Sequence, residues 1–257
     1  MAEIAATAVV DRHAELDTGV EVGPYAIIGP DVRIGSGTTI GAHAVLDGYT
    51  EIGNDCRIFP HAAVGLEPQD LKYRGEKTWL RIGNRTVIRE FATLNPGTCE
   101  GDVTQVGDDC LLMAYSHVAH NCCLQNHVIL ANSVNLAGHV LVENFAVIGG
   151  VTPVHQFVRI GTHSIIGGGS RIPQDVAPFT RVAGNPAKTF GLNTVGLERR
   201  GFSKESIATL KQAYRIFFRS KLTVENAAAE VEREVSLTPE VRKLLDFLLS
   251  SERGVTR

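Results

Sequence analysis

Aliphatic residues recur at every sixth position through most of this chain. From Ile4 to Ile172, 26 of 29 positions stepped by six are Leu, Ile or Val, the exceptions being Asp70, Glu76 and Glu100. A helix repeats every 3.6 residues and a plain strand every two, so a period of six belongs to neither alone. Two residues before each aliphatic the side chain is mostly small, as at Ala8, Ala26, Cys56, Ala92, Cys110, Ser116 and Cys122. A spacing of two puts both side chains on one face of a short strand, here the inside. The residue after the aliphatic is often Gly, as at Gly23, Gly53 and Gly149, or Asp or Asn. These types tolerate positive φ, which is expected at a tight corner. A corner in every hexad predicts a parallel β-helix, with three hexads closing an 18-residue coil of triangular section.

Two segments leave the rhythm and return in phase. Residues 66–81 (LEPQDLKYRGEKTWLR) and 96–105 (PGTCEGDVTQ) therefore read as loops hung on an unbroken coil, the usual place for function on a rigid scaffold. After Ile172 the period fades. Ser203 is placed to cap a helix running to about residue 219, Thr223 starts a second, and Thr238-Pro239-Glu240 gives an N-cap followed by proline at the first helical position. The division expected is a β-helical catalytic domain over 1–189 and a small α-helical domain over 190–257.

Bulk properties narrow the function classes. A net charge of −3 gives no global case for nucleic-acid binding, and no run of 18 apolar residues offers a membrane span. The amino terminus lacks a basic run leading into an apolar core, and the five cysteines are odd in number without CxxC spacing. Both point to a cytoplasmic protein with reduced thiols. Charge is unevenly spread: from Arg171 to Lys221 there are ten Lys or Arg against three Asp or Glu. Such a segment suits a phosphorylated substrate and an acidic carrier protein, or is simply a solvated basic face.

Histidines single out one corner. Residues 18 apart share a column, so His120 lies in line with Gly138 and Gln156, with His139 and His155 one residue off and His117 three residues before His120. His127 and His163 share another column and read as surface residues. A solvated corner is the bland alternative, but four histidines and a Gln converge here. A prism corner is convex while ligand sites are concave, so a second wall must come from the 66–81 loop, a neighbouring subunit or both. This predicts a cyclic homo-oligomer, most simply a homotrimer with sites between subunits. Two chemistries suit the corner: a three-histidine zinc site, as in γ-type carbonic anhydrases, or a His general base for acyl transfer, with the Gly138 amide as oxyanion donor. The basic segment favours acyl transfer, which needs neither metal nor cofactor.

The pattern [LIV]-G-x-x-x-x resembles the hexapeptide-repeat transferases, whose β-helix is left-handed; the handedness expected here comes from that resemblance alone. QDLKYRGE (69–76), SHVAHNC (116–122), LAGHV (136–140), IGGVTPVHQF (148–157) and GLNTVGLERRGF (191–202) together resemble the UDP-N-acetylglucosamine O-acyltransferases, which make the first acylation of lipid A. The likeness covers essentially the whole chain in order. It implies that His120 activates the glucosamine 3-hydroxyl and that a 3-hydroxyacyl group passes directly from acyl carrier protein. It further implies that Asp70, Lys72, Tyr73, His117, His139, His155 and Gln156 position sugar and acyl donor. Asn193, Arg199 and Arg200 would face the nucleotide, and Gly168 would set acyl length. The near alternative is another acyl-carrier-dependent hexapeptide enzyme, acting on a 3-amino sugar or as an N-acyltransferase. Asn121 stands where some members carry Asp beside the base; it can orient the ring but brings no charge. Asn95 and Val195 stand where some members carry His and Glu, which leaves the 3-hydroxyl and 3-amino acceptors both open.

Overall fold

A computed structural model describes all residues 1–257. The chain winds as a left-handed parallel β-helix of triangular section, followed by a small helical part. Two- to four-residue strands make three faces, here A, B and C, of eleven, eight and eight strands. One coil illustrates the rest: Leu111–Leu112 lies on face A, His117–Val118 on face B and Cys123–Leu124 on face C. Each coil hydrogen-bonds to the next along its length, as in His117 N–H to Val134 O at 2.8 Å and Cys123 N–H to Val140 O at 2.9 Å. The stepped aliphatics fill the prism: Leu94, Leu112, Val118, Leu130 and Leu136 are fully buried, each contributing about 1.5–3 kcal/mol by leaving water.

Register accounts for the two breaks in rhythm. Ile58 pairs with Ile40, 18 residues earlier, but with Ile88, 30 residues later, and Leu112 follows Ile88 by 24. The twelve and six extra residues are the two excursions. Both are shorter than expected, because Trp79–Ile82 and Val103–Val106 pair as strands on face C. Both also leave the coil between a face B strand and a face C strand, so they crowd onto one edge of the prism.

The corners correct the expectation about glycine. Most glycines that follow the aliphatic have ordinary φ; positive φ falls two residues further on, at 17 non-glycine positions that include Tyr25, His43, His61, Phe91, Tyr115, Asn121, His139 and Phe157. Left-handed backbone costs each about 1 kcal/mol or more. Stacking repays part of this, because corner side chains one coil apart lie face to face: Tyr25, His43, His61, Phe91 and Tyr115 form a ladder with ring centroids 4.8–5.1 Å apart. Glycine after the aliphatic answers a different need, the closeness of the next coil. A Cβ at Gly53 would lie 2.8 Å from the Gly83 carbonyl carbon and oxygen.

The last coil runs on into an antiparallel hairpin, Thr180–Gly184 with Ala187–Leu192. Four helices follow: α1 (Thr194–Arg199), α2 (Lys204–Arg219), α3 (Val224–Glu234) and α4 (Pro239–Leu249). Ser203, Thr223 and Thr238 cap α2, α3 and α4 as their sequence positions predict. Leu210, Phe217, Val231, Val241 and Leu244 pack with Ala177 and Phe179 of the last coil into a second apolar cluster, which closes the open end of the prism. At the seam, the Lys243 ammonium on α4 donates to the buried Glu143 carboxylate at 3.1 Å.

Close coil approach makes Gly53→Ala destabilising by about 1–3 kcal/mol, the usual cost of inserting a methylene where none fits. Denaturant unfolding of the full chain measures this. An unchanged midpoint would show that neighbouring coils part without cost.

Candidate active site at the B–C edge

His120 sits on the corner between faces B and C, one coil beyond the second excursion. The inward-pointing Val118 and Cys122 lock the segment on either side of it, both fully buried. The two excursions rise beside it from the preceding coils and are stapled to one another. Asn95, itself buried, donates from Nδ2 to the carbonyls of Leu66 and Glu67, and the Lys77 amide donates to the Glu100 carboxylate at 2.8 Å. The first excursion brings Asp70 to 3.8 Å from His120 Nε2, with both side chains largely buried at 25% and 17% exposure. One of the two walls demanded by a convex corner is therefore the chain's own 66–78 segment.

The other side of the ring is held through Asn121. His120 Nδ1 lies 2.9 Å from Asn121 Oδ1, and Asn121 Nδ2 donates to Asp102 Oδ2 at 2.7 Å. Since the amide nitrogen faces the carboxylate, Oδ1 is the acceptor, and it also receives the Thr98 hydroxyl at 3.1 Å. Nδ1 thus carries the ring proton and Nε2 keeps its lone pair toward Asp70. Asn121 has φ +60°, and its own amide donates to Thr104 Oγ1 at 2.8 Å, which fixes the corner. Gly138 lies directly over the ring in the next coil: a Cβ there would stand 2.5 Å from Nε2. Its amide hydrogen finds no acceptor within the chain.

The remaining candidates divide by edge. His117 is half-buried on face B with Nδ1 2.7 Å from Thr93 Oγ1; burial first, and then the neighbouring His120, holds its pKa below the usual histidine value. His139 meets His120 edge to face at 5.2 Å and stacks on Phe157 at 4.6 Å. Partial burial and His120 lower its pKa, against the pull of Asp102 and Asp70. Gln156 is exposed one coil above Gly138, and His155 contacts the Gln156 carbonyl and Arg253 rather than His120. Lys72 is exposed, while its amide donates to Asp70 Oδ1 at 2.9 Å. Tyr73 uses its hydroxyl to bond the Glu76 carbonyl, closing the first excursion on itself.

Asn193, Arg199 and Arg200 are on the other side of face C, at the C–A edge. Asn193 caps α1, accepting from the Gly196 amide, and donates to the His163 carbonyl at 2.9 Å. The Arg200 guanidinium lies over the Phe145 ring at 4.4 Å, and Arg199 is exposed. Gly168 is on the third edge, between faces A and B, beside the Gly150 carbonyl. One chain thus spreads the candidates over three edges. A concavity of about 560 Å³ on face A near the amino terminus holds none of the histidines. No three His, Cys, Asp or Glu side chains converge in a geometry that holds a metal ion.

His127 and His163 are not plain surface residues: with Phe145 and Phe179 they stack in one column at 4.5–5.9 Å, and Phe202 packs edge-on against His163. The helical part docks on that column. Nothing in the sequence singles out Asp102, one acidic residue in a turn-rich stretch. Only the fold lays the turn against Asn121.

The chain is similar to known proteins over its whole length. A family model described as UDP-N-acetylglucosamine O-acyltransferase, domain 2, matches residues 175–256, and one described as bacterial transferase hexapeptide (six repeats) matches residues 13–48. The chain is 54% identical over 262 residues to a protein of Paracidovorax citrulli named acyl-[acyl-carrier-protein]–UDP-N-acetylglucosamine O-acyltransferase, with all of both chains aligned. A protein of the same name from Thermodesulfovibrio yellowstonii is 49% identical over 258 residues, again over both full lengths. Among solved structures, LpxA from Acinetobacter baumannii superposes with a TM-score of 0.96 at 44% identity over 99% of each chain. LpxA from Bacteroides fragilis, a UDP-N-acetylglucosamine acyltransferase, gives 0.96 at 39% identity over 99% of this chain and 100% of its own.

The docking column carries a pH signature. Burial, with a smaller push from Arg200, lowers the His163 pKa from 6.5 to about 4. The unfolded chain takes up a proton that the folded chain refuses, so stability falls as pH drops through 6.5 and levels off below about 4. His163→Phe keeps the stack and removes that contribution. Its thermal midpoint, followed against pH, is expected to fall less steeply over this window than that of the parent.

Proposed function

This chain belongs to the acyl-[acyl-carrier-protein]–UDP-N-acetylglucosamine O-acyltransferase family, and from that membership and the corner geometry we propose His120 as the general base of its reaction. The enzyme moves an acyl group from acyl carrier protein to UDP-N-acetylglucosamine, the first step of lipid A synthesis. The observation that carries the role of His120 is the contact of its Nδ1 with Asn121 Oδ1, from which the tautomer follows. Asn121 holds the proton on Nδ1, so Nε2 faces the cleft under Asp70 ready to accept one.

In the proposed sequence the glucosamine 3-hydroxyl sits between Nε2 and Asp70 and gives its proton to Nε2. Its oxygen attacks the thioester carbonyl of a 3-hydroxyacyl carrier protein. The Gly138 amide, which has no other acceptor, donates to the oxyanion. The carbon–sulfur bond then breaks, and the imidazolium returns the proton to the departing thiolate. Transfer is direct. Burial pushes the thiol of Cys122, two residues from the base, up to about 12, and its sulfur faces the coil interior against the Ala137 carbonyl. Such a thiol supplies no thiolate.

The spread of candidates over three edges supports a homotrimer. Packed about a threefold axis, the B–C edge of one subunit faces a different edge of its neighbour, so His120 meets groups that its own chain holds elsewhere. In that arrangement His117, His139 and Gln156 contact sugar and acyl chain, with Lys72 and His155 at the rim. Arg199 and Arg200 meet the diphosphate, Asn193 frames the nucleotide, and Gly168 leaves room for a long acyl chain. Tyr73 acts by shaping the excursion that carries Asp70.

All ten cations between Arg171 and Lys221 are exposed, and none has a carboxylate within salt-bridge distance. In the proposed two-domain division, residues 1–189 carry the chemistry and 190–257 present most of this unpaired charge to the acidic carrier protein. No helix is long and apolar enough to cross a membrane. An acyl carrier protein as donor supports a cytoplasmic reaction.

Purified protein incubated with UDP-N-acetylglucosamine and a mixed set of 3-hydroxyacyl carrier proteins is expected to add one hydroxyacyl group, whose mass gives the chain length. Transfer to the 3-amino sugar alone would replace the acceptor. His120→Ala is expected to lower turnover at least about 100-fold, the usual scale of a lost general base, with the trimer unchanged by sedimentation. Near-normal turnover in that variant would remove His120 from the mechanism.

A further inference from the structure

The position beside the base is an asparagine, which brings no charge to stabilise a protonated imidazole. Two bonds away there is one. Asn121 donates to Asp102 Oδ2 at 2.7 Å while accepting from His120 Nδ1 at 2.9 Å. A primary amide bonded at both ends this way transmits polarisation, because a carboxylate on its N–H makes its carbonyl oxygen more negative. We propose that Asp102 is a positioning residue of the acyl transfer: through Asn121 it fixes the His120 tautomer and stabilises the imidazolium that forms when the sugar hydroxyl is deprotonated. The inference rests on His120 being the base.

Several features mark the relay as built. Asp102 Oδ2 also accepts the Cys99 amide at 2.9 Å, so the turn of the second excursion orients the carboxylate. The bond from Asn121 is the largest of the influences that hold the Asp102 carboxyl below the usual carboxylate range, which keeps it ionised at neutral pH. Thr98 and Thr104 anchor Asn121 from the same excursion and the strand that follows it. The six extra residues of this excursion thus deliver Thr98, and Asp102 oriented by the Cys99 amide, to one amide side chain. Without Asp102 nothing sets which way the Asn121 amide is turned, since Thr98 satisfies either the oxygen or the nitrogen. With Asp102, the flipped amide would set oxygen against carboxylate.

Other titratable groups face the ring. Asp70 approaches Nε2 from the first excursion, His139 lies edge-on in the next coil, and His117 stands on the face B strand that leads into the corner. Asp70 is on the substrate side and is shared with the sugar hydroxyl. Asp102 is the carboxylate on the Nδ1 side, where catalysis needs a fixed charge and no proton transfer. No proton passes along the relay in either direction.

Asp102→Asn keeps an acceptor for Asn121 Nδ2 and removes the charge. A unit charge roughly 7 Å away at an effective dielectric of about 20–40 corresponds to about one pH unit. The acid limb of kcat/KM is therefore expected to move down by about one unit. A weaker base and a less certain tautomer are expected to lower kcat about 10-fold or more, with KM for UDP-N-acetylglucosamine within about twofold of the parent. The double variant Asn121→Asp with Asp102→Asn sets the carboxylate directly on Nδ1 and is expected to restore both kcat and the acid limb. A purely structural role predicts no such rescue. In parallel, nitrogen NMR of the histidine-labelled full chain, with the His120 signal assigned by its loss in His120→Ala, follows the ring itself. Its titration midpoint is expected to fall by about one unit in Asp102→Asn. Unmoved kcat and acid limb, an unrescued double variant, or an unshifted ring titration would each overturn the relay. Failure of the parent protein to transfer any acyl group would overturn the function instead, and the ring titration would still decide the relay.

Discussion

Every feature of this molecule depends on coils that hydrogen-bond to one another about 4.8 Å apart, with an 18-residue register. That spacing is close to the thickness of an aromatic ring stack plus a little slack, so corner side chains in successive coils stack into columns. It also leaves no room for a Cβ where the corner backbone comes closest to the next coil, which is why glycine follows the aliphatic at Gly41 and Gly53. Interior packing, corner ladders and glycine positions are three consequences of a single repeat distance.

The same repeat makes a poor enzyme until it is interrupted. A prism of identical coils is convex everywhere, and its side chains present only flat faces and edges. Here the interruptions are two insertions on one edge in consecutive coils, and the base stands on that edge in the coil that follows. The first insertion supplies Asp70 over Nε2; the second supplies Asp102 and Thr98, and the strand that follows it Thr104, around Asn121. The scaffold contributes Gly138, whose missing side chain leaves room for the ring and whose amide is left free. Rigid coils thus fix the base and the oxyanion donor, while the insertions fix what lies on either side.

Histidine content carried less functional meaning than it suggested. Five of the nine histidines, His43, His61, His127, His139 and His163, occupy positive-φ corners and stack with aromatic neighbours. At those sites a flat ring fills the ladder, and chemistry is incidental. His120 differs in sitting one residue before the left-handed position, so its ring is outside the ladder and free to be aimed by Asn121. His139 belongs to both groups, stacking on Phe157 and touching the base.

Sequence alone determined the coil period, the inside residues, the two excursions, the three capped helices and the column containing His120 and Gly138. All of these follow from local spacing, because a solenoid converts distance along the chain into position in space by a fixed rule. The reason for the glycines is not legible in the spacing, since contact with the next coil and positive φ favour the same residue type and only the tertiary structure separates them. Tertiary structure alone decided how the irregular segments lie. The excursions obey no period, so neither the Asp70 approach nor the Asp102–Asn121 bond is written in a spacing. The hairpin and α1, which carry Asn193 and Arg200 to a different edge from His120, also escaped the repeat. A period tells where a residue falls on the coil; where a loop returns to it depends on contacts between residues that no rule of spacing relates.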